Sequence, residues 1–122
     1  KSEWDVKTVQ GGLIDIEFMA QYFVINGYAK NSASTYEVIS KIGSDHLEEH
    51  DRETLVEALK AYELTLHLQR ICLGENADTD DAPSGFHDRL CNALELPDLK
   101  TSKAYLSDMQ KQVRRIFQKV LG

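Results

Sequence analysis

The chain has 122 residues, 42% apolar and 28% charged, with two prolines. That is the size and balance of one soluble globular domain: too apolar for a disordered tail, and large enough to bury roughly two-thirds of its unfolded surface without a disulfide or structural metal. Its 14 Lys and Arg against 20 Asp and Glu leave a net charge of −6, which argues against nucleic acid or an anionic membrane as a partner.

Residues 1–10 read as a short extended segment, with Trp4, Val6, Thr8 and Val9 in partial alternation. Gly11-Gly12 comes next and permits a tight turn and close backbone approach. Leu13 to Asn26 is apolar almost all round, the pattern of a helix in the middle of a bundle, with Gly27 as its C-cap. A short helix is predicted from Thr35 to Ile42, stopping at Gly43. Asp51 is the expected N-cap of a long helix that runs to Leu73 and ends at Gly74. Leu55, Leu59, Tyr62, Leu66 and Leu73 form one stripe on it, and Ala58, Ala61, Leu64, Leu68 and Ile71 a second. Two stripes imply two neighbouring helices.

Glu75 to Ser84 is acidic and polar and reads as a loop. Gly85 to Leu94 is predicted as a shorter helix ended by Pro97, and a last helix opens near Thr101 or Ser102. The polar face of that last helix is basic, with Lys100, Lys103, Lys111, Arg114, Arg115 and Lys119 against Asp108 alone. Such a face is either solvated or docks an acidic partner or an adjacent domain. The fold class is all-α: an antiparallel bundle of four or five helices behind a short extended segment. Cys72 and Cys91 lie in apolar helical stretches and read as buried thiols in a reducing cytosol. No run is long enough to span a membrane.

Chemistry concentrates at Lys7 and the stretch from Gly11 to Gln21. Asp15 and Glu17 sit inside an apolar helix, which is costly unless they are paired, hydrogen-bonded or facing a polar cleft. On a helix they point about 200° apart, so they cannot share one metal, whereas Glu17 and Gln21 lie on one face. In the plainest reading these acids complement the helix dipole and cap free N–H groups.

Asp5-Val6-Lys7, Gly11-Gly12-Leu13-Ile14-Asp15-Ile16-Glu17-Phe18 and Gln21-Tyr22 together resemble the junction found in glutamine synthetase adenylyltransferases. In that family a GG-x-x-DIEF-x-x-Q-Y stretch succeeds each nucleotidyltransferase domain and begins a helical bundle. Detailed similarity covers residues 4 to 25. The Asp-Val-Lys form, and a chain that ends about 100 residues past the glycine pair, resemble the C-terminal, adenylylating half.

The resemblance implies that residues 1–12 are a lead-in and Gly-Gly hinge from a missing nucleotidyltransferase domain, and that 13–122 is a helical bundle walling its cleft. Lys7, Gly11, Gly12, Asp15, Glu17 and Gln21 are then the candidate residues facing the cleft or the domain junction. It also implies a cytoplasmic enzyme that uses ATP and Mg²⁺, with glutamine synthetase and the PII protein as partners. The piece itself is expected to bind no cofactor and to be inactive alone.

The Gly-Ser turn and Asp-x-Asp strand of such transferases have only a decoy here, Gly43-Ser44 followed by Asp51 and Glu53, because two acids opening a helix diverge. His46 and His50 have metal-ligand spacing, but Leu47 stands where a metalloprotease needs its base. Asp78-Thr79-Asp80 starts like a calcium loop that Pro83 interrupts. Two other readings stay open: the helical domain of a uridylyltransferase acting on PII, and a helical protein-interaction module with no catalytic neighbour.

Overall fold

In the computed structural model, which describes residues 5–32, 34–73 and 84–122, the chain folds into five helices and no strand among the described residues. These are α1 (Leu13–Ile25), α2 (Thr35–Lys41), α3 (Glu49–Leu73), α4 (Ser84–Ala93) and α5 (Leu99–Leu121). The acidic stretch before Ser84, including Asp78-Thr79-Asp80 and Pro83, lies outside the described residues, as do Trp4 and Gly74. No helix among the described residues is long and apolar enough to cross a membrane.

The long helix α3 is the spine, packing against each of the other four. Its two stripes supply Leu55, Ala58, Leu59, Ala61 and Tyr62 to a core shared with Ile16, Met19 and Phe23 of α1, Phe86 and Leu90 of α4, and Leu106 of α5. The stripes fade toward the C-terminal end of α3, where Ile71 is exposed. Helices α3 and α5 run antiparallel: Asp51 meets Lys119, and Tyr105 Oη donates to Glu57 Oε2 at 3.0 Å. Burial, and then that bond and the Glu57 charge, push the Tyr105 phenol up to about 12.

Helices α1 and α5 run parallel. Gly11 packs on Gln110, Asp15 pairs with Arg114 and Phe18 meets Phe117, each at the same separation in sequence.

Three expectations are corrected. Asp51 does not cap α3, because Leu47 is drawn into the core and the preceding turn closes early, so the helix begins at Glu49 with Asp51 in its first turn. The last helix begins at Leu99 rather than Thr101 or Ser102. Asp98 is its N-cap, accepting from the Thr101 N–H at 2.8 Å, which holds its carboxyl below the ordinary range. Ser102 is instead buried, its hydroxyl donating to the Asp98 carbonyl at 3.0 Å and lying 3.4 Å from Cys91 Sγ. Residues 7–10 form bends and a turn rather than an extended run.

The C-cap of α1 is Asn26, and Gly27 stands just past it, ending the helix in the left-handed region at φ 77°. Cys91 is a free, half-buried thiol, while the side chain of Cys72 lies outside the described residues.

A locked glycine turn and the outward face of α1

The N-terminus of α1 is capped by backbone rather than by a side chain. Val6 and Lys7 offer their carbonyls to the Leu13 and Ile14 N–H groups at 2.7 and 3.0 Å. For the chain to fold back this tightly, Asp5 organises the preceding turn. Its carboxylate accepts from the Lys7 and Thr8 N–H groups and from Thr8 Oγ1. The Lys7 side chain is exposed.

Gly11 and Gly12 are buried at the centre of this turn. Gly11 has φ 81°, and a Cβ there would lie 1.9 Å from the backbone oxygen of Gln110 on α5. A Cβ on Gly12 would come within 2.8 Å of the Val6 oxygen. The close approach anticipated for the glycine pair is therefore made against α5 and the lead-in, and it holds the turn fast. Gln110 secures the lead-in twice, through this backbone contact and by donating from Nε2 to the Asp5 carbonyl at 3.0 Å.

Asp15 turns toward α5, accepting from the Gly11 N–H at 2.7 Å and from Arg114 Nη1 at 3.2 Å. The Arg114 guanidinium lies 4.7 Å from the centroid of the Phe117 ring, which meets Phe18. From the other side, the buried Tyr62 hydroxyl donates to the Gly11 carbonyl at 2.8 Å. Burial raises the Tyr62 phenol far above its ordinary value, with Tyr105 and Asp15 adding to the effect, so it acts only as a neutral donor. Tyr62→Phe leaves that carbonyl unpaired in a dry site. Urea unfolding should show a loss of about 1–2 kcal/mol with the helical content intact.

Glu17 and Gln21 point away from Asp15 and share a face, as their spacing requires. They line a groove of about 380 Å³ with Ala20, Val24, Asn31 and Thr35. The expectation that α1 sits in the middle of the bundle is corrected here. Ile14, Phe18 and Ile25 are 43%, 58% and 81% exposed, and with Glu17 and Gln21 they fill an arc of about 100° that the bundle leaves uncovered. The helix is apolar all round because its core face and its outward face are both apolar.

The six candidates thus divide into three groups. Gly11, Gly12 and Asp15 form one locked cluster, Glu17 and Gln21 form the outward groove, and Lys7 stands at the surface. Sequence reading missed Tyr62, Gln110 and Arg114, which complete the cluster from α3 and α5. The glycine pair signals a close approach, but nothing in its neighbourhood names residues 51 to 99 positions away.

The fit to a catalytic metal is poor. Asp51 is buried against Lys119 and Arg115 while Glu53 is exposed, so the decoy carboxylates diverge. His46 lies in the turn before α3, stacked on Tyr28 at 3.9 Å, and shares no helix face with His50. Among the described residues no three His, Cys, Asp or Glu side chains converge as metal ligands.

Comparison with known proteins extends these observations along the whole chain. Residues 1–121 match the family model described as GlnD PII-uridylyltransferase. Among curated relatives, the bifunctional glutamine synthetase adenylyltransferase/adenylyl-removing enzyme of Rhizobium meliloti (strain 1021) is 36% identical over 128 residues, covering 100% of this chain and 13% of its own length. Proteins of the same name from Mesorhizobium japonicum and Brucella suis biovar 1 are 33% and 32% identical, over 97% and 100% of this chain and 12% and 13% of theirs. The chain thus spans about an eighth of the length of the relatives it matches. By the match along residues 1–121, this chain belongs to the GlnD PII-uridylyltransferase family.

Proposed function

We propose that this chain is the helical domain of an enzyme that adenylylates and deadenylylates glutamine synthetase, seated against a nucleotidyltransferase domain of the same polypeptide. The observation that carries the reading is the outward face of α1, where Ile14, Phe18 and Ile25 surround Glu17 and Gln21. Large apolar side chains left in water beside two polar groups are the composition of an interface with a polar edge. Whole-length similarity to adenylyltransferases several times longer than this chain supports the choice of occupant.

On this reading, Ile14 and Phe18 anchor the transferase domain while Glu17 and Gln21 wall its cleft and orient a substrate group. The locked glycine turn holds that wall at a fixed angle. ATP and Mg²⁺ enter through the transferase domain, in the cytoplasm, and glutamine synthetase and PII are the protein partners. The C-terminal, adenylylating half of such an enzyme is the one this piece resembles.

In the intact enzyme, Phe18→Asp should lower adenylylation of glutamine synthetase at least tenfold, because a charge would be buried in the interface. The thermal midpoint of the helical domain should barely move, since Phe18 is more than half exposed. Glu17→Ala should lower turnover with equally little effect on stability. Unchanged activity in both variants, with stability unchanged, would remove the α1 face from the site.

A second reading comes from the description of the family model: the same domain in a uridylyltransferase acting on PII. Supplying the intact enzyme with ATP and glutamine synthetase, or with UTP and PII, separates the two.

A further inference from the structure

The basic side of α5 carries a second surface, which borders the outward face of α1 where Arg114 lies over Phe117 and Phe117 meets Phe18. Ser107, Lys111, Arg114, Arg115 and Gln118, with Gln10 of the lead-in, line a groove of about 390 Å³ whose described lining includes no carboxylate. In a chain with a net charge of −6, Lys111 stands here beside two guanidiniums whose carboxylate partners, Asp15 and Asp51, lie outside the groove lining.

Two of these cations are held in place by their own neighbours. Arg114 is fixed by Asp15 and by its position over the Phe117 ring, and Arg115 Nη2 lies 3.6 Å from Asp51 Oδ1. Each guanidinium has five N–H donors, so one carboxylate partner leaves capacity for another acceptor. Lys111 is exposed and has no ion-pair partner among the described residues.

The shape of the groove selects among anions. From Ser107 to Gln118 the helix rises about 16 Å, the reach of about five residues of extended chain. The amides of Gln10 and Gln118 offer both a donor and an acceptor, which suits peptide backbone. A single phosphate calls for convergent donors, and the groove is open and elongated. A nucleic acid strand calls for stacking aromatics and a basic domain, whereas this chain is acidic overall.

We propose that this groove docks an acidic, extended segment of the protein on which the enzyme acts. The identity of that protein rests on the proposed function, and the chemistry of the groove does not. Electrostatic capture at this site brings the target to the domain while α1 holds the transferase.

The test uses the intact gene product and two fluorescent hexapeptides, one of glutamate and one of glutamine. The glutamate peptide should bind at least tenfold more tightly at low ionic strength, and weaken as salt is added. Lys111→Ala should weaken it about threefold and Lys111→Glu about tenfold. In turnover with the protein target, Lys111→Glu should raise the KM for that protein and leave kcat and the KM for nucleotide unchanged.

Equal binding of the two peptides, or indifference to Lys111→Glu, would overturn the proposal. So would displacement of the glutamate peptide by inorganic phosphate or an oligonucleotide at equal charge concentration. Peptide binding in an enzyme that transfers no adenylyl group would sink the functional reading and leave the groove standing. Transfer without peptide binding would do the reverse.

Discussion

Gly11→Ala should destabilise the domain by about 3 kcal/mol, the largest effect expected of any single methyl group in this structure. Two costs add. The residue sits at φ 81°, where an alanine is strained, and the new carbon would lie 1.9 Å from the Gln110 carbonyl oxygen, which belongs to helix backbone and cannot rotate aside. Gly27 separates the two costs, since its φ is 77° but its position has nothing within 4 Å. Gly27→Ala should therefore show the conformational penalty alone, about 1 kcal/mol. Urea unfolding of the three proteins measures the difference. If Gly11→Ala costs no more than Gly27→Ala, the lead-in is not packed on α5.

The second large effect is expected at Asp51. Its side chain is 3% exposed and bridges the first turn of α3 to the last turns of α5, with Lys119 Nζ at 2.9 Å and Arg115 Nη2 at 3.6 Å. A carboxylate in the first turn also complements the α3 dipole. Asp51→Ala should cost about 2 kcal/mol in urea unfolding, from lost charge-assisted hydrogen bonds and a small void.

The pH dependence is set by the lysine. Hydrogen bonds donated to Asp51 first and Glu48 second raise Lys119 above its ordinary 10.5. A raised folded-state value means the pairing contributes fully below 10.5 and is lost as pH climbs through the raised value. The gap between wild type and Asp51→Ala should hold through neutral pH and narrow in strong alkali. A gap unchanged there would take the effect from Lys119 and assign it to Arg115, the helix dipole and packing.

Much of the fold was legible because punctuation and periodicity agree. Gly27 ends α1 and Gly43 stands just beyond α2, while the α3 stripes name core residues correctly from Leu55 to Tyr62. The helix starts were harder. Between Asp45 and Asp51 four acids compete to cap α3, and only the burial of Leu47 decides where the turn closes. Near α5, Thr101 and Ser102 look like caps, yet Asp98 reaches the Thr101 N–H first and Ser102 is needed inside.

For the candidate site, helical spacing correctly separated Asp15 from Glu17 and joined Glu17 to Gln21. It could not say which apolar face of α1 the bundle would use, because both faces have the same composition. Nor could it show that three of the six basic side chains on α5 turn back to Asp15, Asp51 and Glu48. A charged face read from one helix carries no record of the acids brought to it by others.

The parallel pairing of α1 with α5 has a mechanical consequence. Gln110 donates to the chain at Asp5 and lies close against it at Gly11, so the lead-in is tied to the final helix on both sides of the turn. With Asp15 on Arg114 and Phe18 on Phe117 further along, the first and last helices make one shared frame, and a partner seated on either abuts both.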